Sequence, residues 1–331
     1  MGVNLAERLL NEGCLVRIYD RTPNRFGAIP PEAEYVEGEL GNHGLIREAI
    51  EGMETVFHFA STTLPKTSND DPIYDVRSNI VDTIQLLEAC VEAGVRKVVF
   101  PSSAGTVYGP PESVPISEDH PTNPISSYGI VKLAIEKYLR LFHHLHGLDY
   151  TVLRISNPYG PYQNPASQQG VMGVFLHRIR TGQPITIWGD GSVVRDYLYV
   201  SDLVDALEAA ATRETPDKLF NIGSGFGTSL NDLIELMAAV VDEQVTVEYL
   251  SSRPLDVPAS VLDITRARAQ LGWSPSTDLV EGISCTSDWI SSLSTSPVGC
   301  SEAGERGQAR DDVLMKDRLH VGGLRSVGIE Q

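Results

Sequence analysis

The sequence predicts an α/β fold that is built on a parallel sheet with helices on both faces. Strand-like and helix-like segments alternate along the first half of the chain. Two of the strand-like segments, TVFHFAS (55–61) and KVVFPSS (97–103), are almost continuously apolar. Such strands are typical of a sheet that is covered on both sides, and their alternation with helices favours parallel pairing.

The individual elements follow from apolar periodicity. Residues 2–12 carry one apolar helical stripe and end at Gly13, which predicts a helix. The other elements predicted in this half are strands at 14–20, 34–40, 55–61, 97–103 and 150–156, and helices at 45–53, 78–93 and 126–146.

After residue 157 the alternation loosens. The segment PITIWGDGSVVRDYLYV (184–200) predicts two short strands around a Gly-Asp-Gly turn. It is followed by predicted strands at 219–225 and 245–250 and predicted helices at 229–240 and near 263–271. From Ser291 onward the chain is rich in Ser, Gly and charge, which predicts disorder. We therefore expect three regions: 1–156, a cofactor-binding domain; 157–292, a smaller α/β region; and 293–331, a disordered tail.

Composition excludes several classes of function. The 331 residues carry a formal net charge of −18, which argues against binding to nucleic acid or to an anionic membrane. No apolar run approaches the roughly 20 residues of a membrane span. The cysteines show no paired spacing, and the histidine run at 143–146 has no matching carboxylate or thiol set, so we expect no metal. A cytoplasmic protein is the default expectation.

The first 20 residues predict part of a dinucleotide site. In a Rossmann-type fold, a glycine-rich turn opens the first helix, and an acid that ends the second strand binds the adenosine ribose about 20 residues later. Gly2 fits the last glycine of such a turn, and Asp20 fits the acid. The first strand and the earlier glycines are then missing from the sequence. We expect either a start that lies further upstream or a protein that has given up cofactor binding.

A Tyr-Lys pair predicts redox chemistry on a hydroxyl. In SSYGIVK (126–132), Tyr128 and Lys132 lie one helical turn apart and share a face. A cation beside a phenol favours the phenolate, which can accept a hydroxyl proton while hydride leaves the carbon for NAD. Ser103 ends a buried strand just before this helix, where its hydroxyl could bond the reacting oxygen.

These residues together resemble the extended short-chain dehydrogenase/reductase family, in its NAD-dependent sugar-nucleotide epimerase/dehydratase branch. The resemblance covers roughly residues 2–290. It rests on VFHFA (56–60), Asn79 at the opening of its helix, SSAGTVYG (102–109), YGIVK (128–132), RISNPYGPYQ (154–163), WGDGSVVRDYLYVSD (188–202), NIGSG (221–225) and RPLDVPAS (253–260).

The resemblance implies roles for particular residues. Tyr128 would be the general base, Lys132 its partner, and Ser103 the third catalytic residue. This chain has one residue more than the usual pattern before Val107, so we expect a small bulge after Ser103 and keep Thr106 as second choice for the hydroxyl. The other residues implied are Gly2, Asp20, Arg21, Glu39, Leu40, Ala60 and Asn79 for NAD, and Asn157, Arg195, Arg253, Asp256 and Ser260 for a nucleotide sugar.

The resemblance also implies the reaction. The dehydratases of the branch carry an Asp-Glu pair before Val-Tyr-Gly, and the decarboxylases a Glu, whereas this chain has Gly105 and Thr106 there. We expect a UDP-hexose 4-epimerase-like enzyme that works through a 4-keto intermediate, and the small Ser260 suggests room for an N-acetylated sugar or a uronate. Alternatives are a dehydratase or reductase of the same branch, or a non-catalytic protein without the glycine loop. The family pairs the helices at 78–93 and 126–146 across a two-fold axis, which implies a homodimer.

Overall fold

A four-stranded parallel sheet lies at the centre of the described structure. The computed structural model describes residues 1–22, 29–165, 170–252 and 257–295. The sheet has the strand order β10-β5-β4-β3. Its strands are β3 (Thr55–Phe57), β4 (Lys97–Ser103), β5 (Asp149–Ile155) and β10 (Leu219–Ile222). All three strand pairs are parallel, as the sequence predicts.

Helices cover this sheet on both faces, which confirms the doubly wound fold. The helices involved are α1 (Gly2–Asn11), α2 (His43–Ile50), α4 (Asp82–Ala93), α6 (Ser127–His146) and α8 (Val200–Thr212). Val98 and Phe100 of β4 pack with α2, α4 and α6, whereas Val99 packs with α1 and α8. Successive strand residues point to opposite faces, so an apolar strand needs cover on both.

The first two strands form a separate sheet. β1 (Arg17–Asp20) and β2 (Glu34–Glu37) pair in parallel through four residues each. In the part of the chain that the structure describes, no main-chain hydrogen bond joins β1 to β3. Asp20 lies at the carboxyl end of β1, and the segment with Ala60 follows Phe57 at the carboxyl end of β3. Both are cofactor-binding positions in the sequence prediction.

The second half of the chain adds short elements around a core of its own. These are α7 (Val171–Arg180), α9 (Leu230–Val241), α10 (Leu279–Thr295), β6 (Asn157–Tyr159), β7 (Ile185–Trp188), β8 (Val194–Arg195), β9 (Tyr197–Tyr199), β11 (Thr228–Ser229), β12 (Val247–Leu250), β13 (Ala259–Ser260) and a π-helical turn at Ala267–Leu271. Met172, Leu176, Ile187 and Ile283 are buried in this core.

The segment 184–200 forms short strands on both sides of Gly-Asp-Gly, as predicted, but these strands do not pair with each other. Instead, β7 pairs with β12, β8 pairs with β11 and β13, and β9 pairs with β6. Each of these strands pairs with a strand from another part of the chain. The local pattern therefore predicted the strands and the turn but not the partners of the strands.

Residues Met1–Ser291 form one compact unit. The predicted boundary at residue 156 stays a prediction, and residues 296–331 of the predicted tail lie outside the described residues. Among the helices that the structure describes, none is long and apolar enough to cross a membrane.

Candidate active site

The Tyr-Lys pair lies in the first turns of α6, against β4. The helix begins after Ser126, whose hydroxyl accepts the N–H of Gly129 at 3.2 Å and so caps the first turn. The Lys132 Nζ atom lies 5.6 Å from the centre of the Tyr128 ring and donates to the carbonyl oxygen of Pro101 at 3.3 Å. The structure thus places the ammonium group beside the phenol, as the spacing predicts.

Burial controls the charge of Lys132. Burial lowers the pKa of this ammonium group to about 8, and the carboxylates of Glu136 and Asp75 act in the opposite direction. His58 stands on the other side of the lysine and donates to or accepts from Thr83 at 2.8 Å. Burial, followed by the charge of Lys132, lowers the pKa of His58 to about 3, so His58 is neutral near pH 7.

The surroundings of Tyr128 disfavour ionisation of its phenol. Burial raises its pKa to about 12, and the negative charge of Asp75 adds to the rise. A phenol in this state is a poor base at neutral pH. Positive charge brought next to the ring by a ligand would favour the phenolate, together with Lys132.

Ser103 is the last residue of β4, and a short helix, α5 (Ala104–Val107), begins directly after it. The extra residue is thus accommodated in a helical turn, not in the expected bulge. The Thr106 hydroxyl donates to the carbonyl oxygen of Ser103 at 3.4 Å. Within the described residues, the Ser103 hydroxyl makes no hydrogen bond, so Ser103 is the hydroxyl available to a ligand.

Gly129 brings α5 close to α6. A Cβ atom at this position would lie 2.6 Å from the carbonyl oxygen of Thr106 and 2.9 Å from the Cβ of Pro124. Any other residue would therefore push the strand end with Ser103 away from the helix with Tyr128. Sequence reasoning missed this role, although the glycine stands inside the YGIVK motif.

The predicted cofactor residues line one edge of the sheets. Gly2 is the first residue of the ten-residue helix α1, and no side chain caps the first turn of this helix. A Cβ atom added to Gly2 would meet nothing within 4 Å. The Asp20 carboxylate is exposed and accepts the N–H of Thr22 at 3.2 Å. Arg21 and Ala60 are also exposed at this edge. An uncapped helix start suits a phosphate, and an exposed acid suits ribose hydroxyls, so these residues fit an adenine dinucleotide.

Asn79 lies inside a helix and does not open it. The helix starts earlier, with α3 (Pro72–Asp75), and Asn79 occupies a π-helical turn at Val76–Val81 that leads into α4. Its amide nitrogen donates to the carbonyl oxygen of Asp75 at 3.0 Å, and its amide oxygen accepts the N–H of Thr62 at 3.0 Å. An inserted side-chain donor of this kind accompanies a widened turn, and here it ties the helix to the loop after β3.

Glu39 and Leu40 lie just after β2. Glu39 is exposed, and its carbonyl oxygen accepts the Tyr19 hydroxyl at 2.7 Å, while Leu40 is half-buried against the core. The structure places both residues near the carboxyl end of β2, next to the strand that ends at Asp20. Their predicted contact with the adenine stays a prediction.

Three predicted substrate residues converge on Asp196. The main-chain oxygen of Asp196 accepts the side-chain amide of Asn157 at 3.0 Å, and its main-chain N–H donates to the carbonyl oxygen of Ser260 at 3.1 Å. Arg195 precedes it and donates to the carbonyl oxygens of Val194 and Val257, each at 2.8 Å. The other two predicted residues, Arg253 and Asp256, lie outside the described residues.

The Asp196 carboxylate is fully buried and is held by four donors. It accepts the N–H and hydroxyl of Ser224 at 2.7 and 2.8 Å, and the N–H groups of Gly225 and Leu262 at 3.2 Å each. Burial raises the pKa of this carboxyl, and the donors act against the rise. Sequence reasoning missed Asp196, because its partners are distant along the chain.

Comparison with known proteins decides the family. The family model described as "NAD dependent epimerase/dehydratase family" matches residues 1–223. The chain belongs to this family. Curated relatives of the family include a UDP-glucose 4-epimerase of Mycolicibacterium smegmatis, which is 37% identical over 297 residues, 88% of this chain and 95% of the relative.

Solved structures of the family have the same fold. A UDP-glucose 4-epimerase of Thermotoga maritima, solved with UDP-glucose, superposes with a TM-score of 0.85 at 34% identity, over 88% of this chain and 96% of the other. A UDP-glucose 4-epimerase of Thermus thermophilus, solved in complex with NAD, gives a TM-score of 0.81 at 32% identity, over 88% and 95%. The Rossmann-type fold predicted from the sequence is confirmed.

Proposed function

We propose that the chain is an NAD-dependent 4-epimerase of a UDP-linked hexose. The observation that carries this proposal is the pair of half-buried Tyr128 and buried Lys132 beside the end of β4, in a segment that offers no acid for elimination. Residues 104–107 read Ala-Gly-Thr-Val, so no carboxylate follows Ser103 in α5. The epimerases among the relatives, which act on or bind UDP-sugars, support the same reaction.

The chain's own residues account for the proton steps. Tyr128 accepts the proton of the sugar's 4-hydroxyl, and Lys132 beside it stabilises the phenolate. Ser103 donates a hydrogen bond to the same oxygen as it becomes a carbonyl. When bound, NAD supplies the hydride acceptor and returns the hydride later, and the positive charge of its ring favours the phenolate. After the 4-keto sugar has turned over in the pocket, hydride returns to the opposite face of carbon 4 and Tyr128 returns its proton to the oxygen, which completes the cycle.

We assign the substrate's diphosphate to Arg195, together with Arg253. The guanidinium fork of arginine matches phosphate oxygens, and one guanidinium nitrogen of Arg195 donates to the carbonyl oxygens of Val194 and Val257, which orients the group. Asn157 then contacts the sugar nucleotide, and Asp256 the nucleoside ribose. Ser260 is a small residue on β13, in register with Arg195, and leaves room beside the sugar. We expect Ser260→Tyr to reduce the turnover of UDP-N-acetylglucosamine more than that of UDP-glucose, and equal effects would refute this assignment.

A homodimer is the proposed assembly. The faces of helices 72–93 and 126–146 expose apolar side chains, among them Val81 at 42%, Ile130 at 54% and Leu145 at 60%. Exposed apolar residues on two neighbouring helices are typical of an interface. Light scattering coupled to gel filtration tests this. Twice the mass of the chain is expected, and a monomer at micromolar concentration would refute the dimer.

The first experiment separates an enzyme from a non-catalytic fold. The purified chain is denatured, the released dinucleotide is quantified per chain, and UDP-glucose is supplied to a second sample without added cofactor. We expect about one NAD per chain and formation of UDP-galactose with no net cofactor consumption. A product lighter by one water would indicate a dehydratase, and neither NAD nor turnover a non-catalytic protein. In a third sample with added NADH, stoichiometric consumption of the NADH would indicate a reductase.

A further inference from the structure

Asp75 is a buried carboxylate that the reaction scheme above does not use. It is 0% exposed, at the end of α3. One oxygen accepts the Thr63 hydroxyl at 2.6 Å and the Asn79 amide at 3.0 Å, and the other accepts the Ser127 hydroxyl at 2.6 Å. Within the described residues it forms no ion pair with Lys, Arg or His. A buried charge that only neutral donors hold is costly, which points to a role.

The three donors come from three segments that meet at the active site. Thr63 lies in the loop after β3, Asn79 lies in the π-helical turn, and Ser127 is the first residue of α6. The same loop also holds the start of α6, because Asn69 and Ser68 accept the N–H groups of Ser127 and Tyr128 at 2.8 and 3.0 Å. Asp75 therefore fixes the turn from which the Tyr128 ring projects.

Asp75 is the carboxylate whose charge acts on both members of the Tyr-Lys pair. Burial lowers the pKa of Lys132, and the charges of Glu136 and then Asp75 act against this effect. Burial raises the pKa of Tyr128, and the charge of Asp75 adds to the rise. Glu136 also accepts from Arg154 at 2.7 and 3.1 Å, and His58 is neutral near pH 7. The negative charge of Asp75 favours the ammonium form of the lysine and disfavours the phenolate of the tyrosine.

We propose that Asp75 is a positioning residue of the catalytic pair: its carboxylate holds the first turn of α6 through Ser127, and its charge sets the pH range in which Tyr128 and Lys132 act. This inference rests on the proposed roles of Tyr128 and Lys132. Asp75 touches neither the substrate nor the reacting atoms.

The substitution Asp75→Asn separates charge from shape. Its amide oxygen can still accept from Thr63 and Asn79, and its NH₂ group can donate to the Ser127 hydroxyl, so the network persists without the charge. In the enzyme loaded with NAD, where the positive charge of the ring would favour the phenolate, turnover requires Tyr128 as a phenolate and Lys132 as an ammonium group. kcat therefore falls at low pH, where the phenol keeps its proton, and at high pH, where the ammonium group loses its proton. Loss of the negative charge lowers both pKa values. We expect both limbs of the pH profile of kcat to move to lower pH by about 1 unit, the size typical of a nearby charge.

Ser127→Ala is the matched variant that keeps the charge and removes the contact. We expect its pH limbs at the wild-type positions and its kcat lower by about tenfold, the equivalent of one hydrogen bond. Ser127→Thr, which keeps the hydroxyl, should restore kcat. Bound NAD per chain should be equal in all variants.

Two results would overturn the proposal. Unshifted limbs in Asp75→Asn would refute the charge effect, and an unchanged kcat in Ser127→Ala would refute the positioning, even if Asp75→Asn failed to fold. The wild-type chain and Tyr128→Phe separate this from the proposed function. A wild type without activity, or a fully active Tyr128→Phe, would refute the catalytic assignment itself.

Discussion

The proposed catalytic side and the proposed substrate side of the site are built in different ways. Tyr128 and Lys132 project from one long helix. Side-chain contacts from Asp75 and Ser126 hold the start of this helix, and the carboxylates of Glu136 and Asp75 favour the charged form of Lys132. Asn157, Arg195 and Ser260 stand on short strands that meet through the main chain of Asp196. The first arrangement controls protonation, and the second controls position. Substitutions on the catalytic side should therefore change kcat, and those on the substrate side should change KM.

Tyr128→Phe should give the largest effect. It removes the only hydroxyl that can accept the substrate proton in this scheme and leaves the ring in place. We expect kcat to fall about a thousandfold, the middle of the range for a general base, with KM and bound NAD nearly unchanged. Steady-state kinetics and dinucleotide release measure these quantities. A loss of less than tenfold would place the base elsewhere.

Ser103→Ala and Thr106→Ala distinguish the two candidate hydroxyls. Because the Thr106 hydroxyl already donates within its own turn, we expect Ser103→Ala to lower kcat about a hundredfold and Thr106→Ala only a few-fold. The kcat values of the two variants, measured side by side, check this. The reverse order would give the catalytic role to Thr106.

Arg195→Met tests the substrate side. The loss of a charge-assisted contact with a diphosphate should raise KM about thirtyfold, with kcat within a few-fold of wild type. Arg195→Lys is the control that keeps the positive charge and loses the forked geometry of the guanidinium group. Its KM should lie between the KM of the wild type and that of Arg195→Met. If Arg195→Met lowered kcat at an unchanged KM, the division between the two sides would be wrong.

Lys132→Met should show that the catalytic lysine lowers stability. The folded-state pKa of about 8 lies below the ordinary value of 10.5, so the unfolded chain binds more protons between these pH values. Stability rises with pH through this window, and the full cost is present below pH 8. At pH 7 we expect the variant to raise the free energy of unfolding by about 2 kcal/mol while activity is lost. Denaturant unfolding measures this, with the exposed Lys137→Met as control, and a destabilised Lys132→Met would contradict it.

Local pattern predicted much of the fold and part of the site. The sheet strands, the long helix and the Tyr128–Lys132 pair follow from periodicity and spacing within one element. Asp75 and Asp196 do not, because their partners Ser127 and Leu262 lie 52 and 66 positions away. The pairing of β7 with β12 escaped prediction for the same reason, as register between distant strands is set by the tertiary fold. The predicted start of a helix at residue 78 was wrong. The helix begins at Pro72, and Asn79 lies in a widened turn inside it.

The most direct test of the central claim follows one hydrogen atom. UDP-glucose labelled with deuterium at carbon 4 is incubated with the purified chain, and the product is analysed by mass spectrometry and NMR. If hydride leaves carbon 4 and returns to it within one active site, UDP-galactose will form at unchanged mass with the deuterium still at carbon 4. Three results would contradict a 4-epimerase: exchange of the deuterium with water, a product lighter by one water molecule, or formation of the product only with consumption of NADH.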